Sequence, residues 1–459
     1  MKKRWISACC SLLLTLTLVP LYGCGGESGG LPQQAAVQMD MTPTDELNID
    51  VLSVLDEYSY QVTAVNYFKK LYPDVKVNVT EVTDGWAAYN ARLLPQLMAG
   101  KGPDVVMADR DCIADIYKVM DSGMFLDISA AYDEDEFFQS EEFSQPVLEA
   151  GVYKGHRYVV PYSFTVPVLV GGEQRLSSIG FNMDNVVDLP SLFDEAAKAL
   201  PQAQQDPNFK NVFGTNLYDR YFSFYSGLQL IDWDNNKVLP DPEGFKRFCE
   251  SYKPLAKADG MLDGVECHAT EVADPFGFKS LLLNQAELLM INFGYMQPYA
   301  AVKDVDTPIL EPMPNAQGQV QACVTDVAAI KASSPNHYNA YNFIKCLLSE
   351  PVQRDLLNKN YLVKRPVNTE IQTKYAYYNN NIPTTSYSNL PEGFKMGSVM
   401  QEDIEKFSGI DAQIETATLW NDTLFDLFKE CMLPYFNNQK SYDECYNMLR
   451  QKLELYISE

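Results

Sequence analysis

The chain has 459 residues, with 61 Asp and Glu against 36 Lys and Arg and a formal net charge of −25 at pH 7. Such an excess of negative charge repels nucleic acid and anionic lipid, so it excludes nucleic acid as a partner and excludes membrane binding through basic patches. Roughly 410 residues remain after the N-terminal leader described next, too many for one hydrophobic core, and we expect two lobes.

The N-terminus has the layout of a secretory signal. The basic start Met1-Lys2-Lys3-Arg4 precedes an uncharged stretch over 6–22 that Ser, Thr and Pro interrupt, which makes it a poor membrane-spanning helix. The stretch ends in Leu21-Tyr22-Gly23-Cys24, which resembles the lipobox of bacterial lipoproteins except for the bulky Tyr22. The resemblance implies a signal peptide over 1–23 and a lipid on Cys24. The polar, Gly-rich composition predicts a flexible tether over 24–46.

Strand and helix patterns begin directly after the tether. An apolar run over 47–55 has the length of a strand, and apolar residues at helical spacing follow over 60–72, where Pro73 ends the helix. Alternating valines over 75–82 predict a second strand. A connection of this length between two strands predicts a parallel β-α-β unit. A helix over 89–98 and a short strand over 104–107 are predicted next.

Several segments, taken in order, resemble the extracellular solute-binding proteins of the type that includes maltose-binding protein. They are NYFKKLYPDVKVNVTEV, LLPQLMAGKGPDVVMAD, GMFLDIS, YKGHRYVVPYSF, KSLLLNQAELLMINFGY and VAAIKASSPNHYNAYNFIKCLLSEPVQRDLL. The resemblance extends over nearly the whole chain beyond the tether. The sequence departs from the family at Asn284-Gln285 and at Val324-Thr325-Asp326, where glycine is common.

The resemblance implies an α/β, two-lobe periplasmic-binding-protein-like fold, with the ligand cleft between lobes that several crossover strands join. On that template an N-lobe holds residues 47–160 and is rejoined by residues 312–365. A C-lobe holds residues 161–311, and the helices of residues 366–459 complete it.

The C-terminal segment predicts a structural helix. Ser441-Tyr442-Asp443-Glu444 is a capping-box sequence, in which a Ser and a Glu three residues apart cap the first turn. Four apolar residues share one face of the helix that follows: Cys445, Leu449, Leu453 and Tyr456.

Neither histidines nor cysteines are spaced for a metal site. The three histidines show no HxxH spacing and the cysteines no CxxC, so we predict no metal and no cofactor. Without Cys9, Cys10 and Cys24, seven cysteines remain, an odd number that cannot all pair within one chain. We expect free, buried thiols, with a bridge between Cys431 and Cys445 as the alternative. The seven are Cys112, Cys249, Cys267, Cys323, Cys346, Cys431 and Cys445.

Candidate ligand-binding residues follow the predicted strands. In open α/β sheets, ligands bind beyond the carboxyl ends of the strands. The loop after the first strand supplies Asp56 and Tyr58, and the loop after the third supplies Asp109, Arg110 and Asp111. These side chains offer the planar donors and acceptors that sugar hydroxyls need.

Aromatic residues make up 12% of the chain, and their flat faces suit the C–H faces of sugar rings. The resemblance places two pairs near the cleft, one in the first crossover and one after the strand over 288–291: Tyr162 and Phe164, and Phe293 and Tyr295. Tyr295 stands where the family often has a tryptophan platform. Three more aromatic residues are candidate linings, with ordinary packing as the alternative: Tyr218, Tyr221 and Trp420.

No Walker loop, G-x-G-x-x-G or HExxH motif occurs, and we predict no catalytic residue. The resemblance implies a monomeric, non-enzymatic protein at the cell surface or in the periplasm, anchored through Cys24. It would capture a sugar or oligosaccharide by lobe closure and deliver it to the membrane subunits of an ABC importer. A peptide, polyamine or other polar solute is the alternative ligand. An anchored carbohydrate-active enzyme is the alternative from another class.

Overall fold

The chain folds into an α/β structure in which helices flank two main sheets. A computed structural model describes residues 37–52, 59–83, 86–109, 112–140, 142–207, 211–213, 226–256, 286–292, 299, 302–303, 305–359, 364–375 and 400–458. All of them belong to one unit, Val37–Glu459. Among these residues, no helix combines the length and the apolar character needed to cross a membrane.

The strands and helices of the described residues are numbered in chain order. The strands are β1 Glu46–Val51, β2 Lys76–Glu81, β3 Val105–Asp109, β4 Val152–Tyr153, β5 His156–Arg157, β6 Val159–Thr165, β7 Pro167–Gly172, β8 Asn211–Phe213, β9 Ile231–Asp232, β10 Lys237–Val238, β11 Ala286–Asn292, β12 Pro308–Pro312, β13 Gln321–Ile330, β14 Arg365–Pro366 and β15 Thr416–Thr418. The helices are α1 Ser59–Leu71, α2 Trp86–Met98, α3 Ile116–Asp121, α4 Ser129–Glu134, α5 Gln145–Glu149, α6 Glu173–Ser178, α7 Leu189–Ala203, α8 Pro242–Tyr252, α9 His337–Leu347, α10 Glu350–Lys359, α11 Thr369–Tyr375, α12 Gln401–Asp411, α13 Asp422–Phe436 and α14 Tyr442–Ser458.

The larger sheet has seven strands, in the order β14-β6-β13-β3-β1-β2 with β15 paired to β13. β1 and β2 run parallel, with Glu46 opposite Lys76, and α1 connects them. This confirms the predicted parallel β-α-β unit. Leu47, Ile49 and Val51 of β1 are buried, as expected for alternate residues that face the core.

The smaller sheet has the order β12-β7-β11-β8. β6 of the larger sheet continues into β7 of the smaller one with only Val166 between them, and the chain returns from β12 to β13. The predicted lobe boundary after residue 160 therefore falls inside β6. β6 belongs to the larger sheet as far as Thr165, because it pairs with β13 up to that residue.

The C-terminal segment, predicted to complete the C-lobe over 366–459, packs against α8 and also pairs with the larger sheet. The rings of Phe245 in α8 and Phe428 in α13 lie 6.0 Å apart, so α13 packs beside α8. By contrast, β15 pairs in parallel with β13, with Gln321 opposite Thr416, and so belongs to the larger sheet. The C-terminal segment therefore contacts α8 through α13 and joins the larger sheet through β15.

The last helix has the predicted capping box. The Ser441 amide donates to Glu444 Oε2 at 2.9 Å, and the Glu444 amide donates to Ser441 Oγ at 3.3 Å. The predicted apolar face is buried: Cys445, Leu449, Leu453 and Tyr456. α14 is therefore a packed structural element.

The edge strand β12 has prolines at its first and last positions, Pro308 and Pro312. The Glu173 amide donates to the Thr307 carbonyl and the Met313 amide to the Pro167 carbonyl, both at 2.9 Å. In an antiparallel ladder the backbone groups alternate in direction, so Pro308, Leu310 and Pro312 turn theirs away from β7. Since proline has no N–H, Leu310 is the one residue of β12 with an outward N–H.

Six of the seven cysteines lie in the described residues, where all six are buried and none forms a disulfide: Cys112, Cys249, Cys323, Cys346, Cys431 and Cys445. The alternative of a bridge between Cys431 and Cys445 is therefore wrong in this structure, and both thiols pack in the core. Cys267 lies outside the described residues.

Candidate functional site

The candidate site lies at the carboxyl edge of the parallel strands β1, β2 and β3. β3 ends at Asp109, and α1 begins on the connection that leaves the carboxyl end of β1. Ligands of open α/β sheets bind at this edge, because the strand ends and helix starts leave polar backbone and side chains there. Three charged side chains, Asp109, Asp326 and Lys364, meet at this edge and are called here the charged cluster.

Asp326 reaches the charged cluster through an irregularity in β13. Asp326 is opposite Asp109 in the ladder between β13 and β3. On its other side, the register between β13 and β6 shifts both before and after Asp326. Such a bulge re-aims a side chain and often lies beside a functional site. The bulge thus turns a carboxylate towards the end of β3.

Lys364 joins the two carboxylates. Its Nζ lies 2.8 Å from Asp326 Oδ1 and 3.9 Å from Asp109 Oδ2. The exposed fractions of the side chains are 12% for Lys364, 9% for Asp109 and 2% for Asp326, so the cluster is open to solvent mainly on the side of Lys364 and Asp109. A buried charge that loses its partner is strongly unfavourable, so the ion pair fixes Lys364 in place.

Hydroxyl groups surround the Asp326 carboxylate. Tyr60 of α1 donates its hydroxyl to Asp326 Oδ1 at 3.3 Å and lies 3.3 Å from the Tyr162 hydroxyl. Ser163 of β6 donates a hydrogen bond to Asp326 Oδ2, and its Oγ is 2.6 Å from the Thr325 hydroxyl. Burial, and then the charge of Asp326, raise the pKa of Tyr162 well above its ordinary value, so this hydroxyl stays protonated.

Asp109 is held at the strand end by the backbone that follows. The Cys112 amide donates to Asp109 Oδ1 at 3.0 Å. That bond orients the carboxylate so that Oδ2 faces Lys364. The charged cluster therefore combines fixed acceptors and a fixed ammonium donor, the pairing that a polyhydroxyl solute needs.

Four of the predicted site residues lie in the described part of the chain. Asp109 lies in the charged cluster, and the hydroxyl of Tyr162 borders it. The rings of Tyr162, Phe164 and Trp420 are at most 1% exposed, and the Trp420 indole N–H donates to the Ile113 carbonyl. Packing covers these rings in the present arrangement, so their contact with a ligand stays a prediction.

The other predicted residues fall outside the described residues: Asp56, Tyr58, Arg110, Asp111, Tyr218, Tyr221, Phe293, Tyr295 and the lipidation residue Cys24. Their roles also stay predictions.

Sequence reasoning missed Asp326 and Lys364 as site residues. Asp326 had a signal, since it is a charged residue inside the otherwise apolar strand sequence QACVTDVAAI and is 1% exposed. A buried charge requires a partner, and that requirement points to a functional or structural network. Lys364 had no such signal, because a lysine before a two-residue strand is ordinary.

A cavity of about 330 Å³ lies between β12, Tyr299 and α12, apart from the charged cluster. Lys406 Nζ donates to the Tyr299 hydroxyl at 3.0 Å beside it. Burial raises the pKa of Glu311 on the cavity wall. This cavity lies along the edge of the smaller sheet, away from the carboxyl ends of β1 to β3.

Comparison with known proteins gives a family and a fold. The model of the bacterial extracellular solute-binding protein family matches residues 53–354. No curated protein sequence matches the chain significantly.

Three solved structures illustrate the likeness of the fold. A putative oligosaccharide periplasmic-binding protein from Synechococcus sp. MITs9220 is 15% identical over 90% of this chain and 99% of its own, with a TM-score of 0.62. A periplasmic oligogalacturonide-binding protein from Yersinia enterocolitica is 14% identical over 90% and 98%, with a TM-score of 0.60. The GacH receptor of Streptomyces glaucescens, known in complex with acarbose, is 17% identical over 90% and 98%, with a TM-score of 0.55.

Proposed function

Since the chain belongs to the bacterial extracellular solute-binding proteins and has the two-lobe fold of periplasmic binding proteins, we propose that it captures a sugar or oligosaccharide and delivers it to an ABC importer. The single observation that carries the choice of a sugar is the charged cluster. The Asp109 carboxylate accepts a hydrogen bond from a solute hydroxyl while Lys364 donates one, at the sheet edge where open α/β sheets bind ligands.

Capture proceeds without breaking a bond. The two lobes close over the solute, and the closed state presents the surface that the membrane subunits of the importer recognise. Tyr295 and Phe293 supply the aromatic platform in this proposal, because a ring that covers the C–H face of a sugar completes the polar contacts of the charged cluster. The two structural neighbours that bind acarbose and oligogalacturonide support the choice of a saccharide.

The alternatives differ in ligand or in chemistry. A peptide or polyamine also suits carboxylate acceptors, so the charged cluster permits a cationic solute. A carbohydrate-active enzyme needs a catalytic pair of carboxyl groups, and Asp109 and Asp326 are joined by Lys364 instead of facing a substrate bond from two sides. The matched family is one of binding proteins.

We further propose that the chain works outside the cytoplasm, as a monomer, on a lipid anchor at Cys24. The signal-like residues 1–23 and the Gly-rich composition directly after Cys24 support this arrangement. A tether keeps the binding protein close to the membrane subunits of the importer while its lobes remain free to move.

A thermal-shift screen of mono- and oligosaccharides, amino acids, peptides and polyamines tests the proposal. A saccharide present at 100 times its dissociation constant adds about 2.7 kcal/mol of stability, which raises the melting temperature measurably. Asp109→Asn is expected to weaken that saccharide about tenfold, the usual scale for one charged hydrogen bond. Stabilisation by polyamines or peptides with no response to any saccharide would assign the other ligand class. Turnover of a glycan would assign an enzyme.

A further inference from the structure

The ion pair between Asp326 and Lys364 limits which electrical charge a bound solute can carry. We propose that the charged cluster accepts neutral and amino sugars and excludes sugars that carry a carboxylate. This inference rests on the proposed function, since it specifies which sugars the same site takes. It is drawn from the arrangement of Asp109, Asp326 and Lys364 at the end of β3.

The charged cluster holds more negative than positive charge. It consists of two carboxylates and one ammonium, and the ammonium lies 2.8 Å from Asp326 and 3.9 Å from Asp109. Within this cluster of described side chains, a solute carboxylate meets repulsion from Asp109 and Asp326 and attraction from Lys364. Repulsion between like charges, in a site partly shielded from water, is a common means of rejecting the wrong ligand.

Lys364 already forms an ion pair with Asp326. A solute carboxylate could gain the ammonium only by drawing it away from Asp326 Oδ1, at 2.8 Å. The Asp326 side chain is 2% exposed, so water does not replace the lost partner. An unpaired buried carboxylate is unfavourable, and this cost adds to the repulsion that a uronic acid meets.

Neutral and amino sugars meet no such cost. A hydroxyl donates to Asp109 and accepts from Lys364 while the ion pair stays intact. A 2-amino sugar places an ammonium near two carboxylates, which is favourable. Both classes of sugar can bind without breaking the ion pair between Asp326 and Lys364.

The fold alone does not exclude sugars that carry a carboxylate. The Yersinia enterocolitica protein with a TM-score of 0.60 binds an oligogalacturonide on the same fold. At 14% identity the two chains share little beyond that fold, so the choice of charge must come from individual side chains. In this chain the bulge in β13 places the Asp326 carboxylate beside Lys364.

The test compares saccharides that differ only in charge. Calorimetry on the purified chain measures the affinities of neutral sugars, of the uronic acid matched to each, and of the matched 2-amino sugar. Each neutral sugar that binds is expected to bind at least about tenfold more tightly than its uronic acid, and the amino sugar at least as tightly as the neutral one. A uronic acid that binds more tightly than its neutral counterpart overturns the inference and leaves sugar capture intact.

Two variants should change the preference for neutral sugar over uronic acid in opposite directions. Asp326→Asn removes one carboxylate and should reduce the preference for neutral sugar over uronic acid about tenfold, whereas Lys364→Met removes the ammonium and should increase it. A merely structural ion pair would weaken both sugars alike in both variants, so an unchanged ratio refutes the inference.

Asp104→Asn is the matched control. Asp104 is 1% exposed and lies immediately before β3, at the opposite end of the strand from Asp109. Its carboxylate accepts from the Asn48 amide at 2.7 Å and from Ser334 Oγ at 2.7 Å. This variant should destabilise the fold and leave the affinity ratio unchanged. If only polyamines bind the parent chain, sugar capture fails and this inference fails with it.

Discussion

At the scale of single residues, Trp420 shows how an aromatic side chain can be predicted as a ligand platform and still be enclosed. Its ring is buried, and its indole N–H is satisfied by the Ile113 carbonyl. The neighbouring Asn421 donates to the Tyr456 hydroxyl at 3.0 Å, which ties the same turn to α14. In this arrangement Trp420 holds the C-terminal segment against the residues that follow β3.

We therefore expect Trp420→Ala to lower the free energy of unfolding by about 3–5 kcal/mol, because it leaves a large cavity and an unpaired carbonyl. Trp420→Phe should cost less, since it keeps most of the apolar contact. Denaturant unfolding of both variants measures the effect. A stable Trp420→Ala variant that has lost its affinity for sugar would instead place the ring in the ligand cleft.

The sequence singled out one residue of the candidate site and missed the other two for a physical reason. Asp109 was found because a strand end is visible in one stretch of sequence and the rule for strand ends is general. Asp326 and Lys364 belong to the site only because β13 and β14 flank β6 in the larger sheet. That adjacency depends on long-range pairing, which local patterns do not contain.

At the scale of elements, local periodicity predicted the structure well. α1, β2 and the capped helix α14 lie where apolar spacing and capping residues placed them. The lobe boundary stays a prediction, since β6 and β7 follow each other with only Val166 between them and every residue of both strands is buried. Nothing in such a run marks the point where the chain changes sheets.

One contact between elements, that of α4 with α9, should depend on pH. Lys345 Nζ lies 2.7 Å from Asp135 Oδ2, and the Tyr341 hydroxyl donates to the same oxygen at 3.2 Å. Burial acts to raise the pKa of Asp135, but the hydrogen bonds from Lys345 and the Phe137 amide outweigh it and lower the pKa below its ordinary value. The folded state therefore favours the ionised carboxyl group.

A lowered pKa stabilises the fold above the ordinary pKa of about 4, and the contribution disappears as the pH falls through the lower folded value. Asp135→Asn should thus cost about 1 kcal/mol at pH 6 and progressively less from about pH 4 downwards. Urea unfolding from pH 6 to pH 2 measures the difference. Asp133→Asn, at an exposed position on the same helix, is the control, and an equal pH response in both variants would contradict the assignment.

At the scale of the whole molecule, the order of family-like segments predicted the fold class that the two sheets and the structural neighbours confirm. The charged cluster draws on residues from position 109 to position 364. Only the complete topology brings them together, so the architecture was more accessible to sequence reasoning than the site that it builds.

The proposed anchor also concerns the whole molecule. Cys24→Ala should release the protein from the membrane fraction or leave it unprocessed, because the lipid is attached to that residue in the proposal. Cell fractionation and the mass of the product measure both outcomes. Cys10→Ala, in the segment that processing removes, is the matched control. Equal membrane retention of the correctly processed Cys24→Ala variant and of the parent would refute the anchor.

The prolines of β12 affect how readily copies of this protein aggregate at high local concentration. An exposed edge strand is a template for another strand, and aggregation by such edge-to-edge pairing needs a row of outward donors. Pro308 and Pro312 leave Leu310 as the one residue of β12 that offers an outward N–H. Copies packed densely beside one another therefore meet an edge that resists forming intermolecular sheet, even while a lobe is transiently loosened.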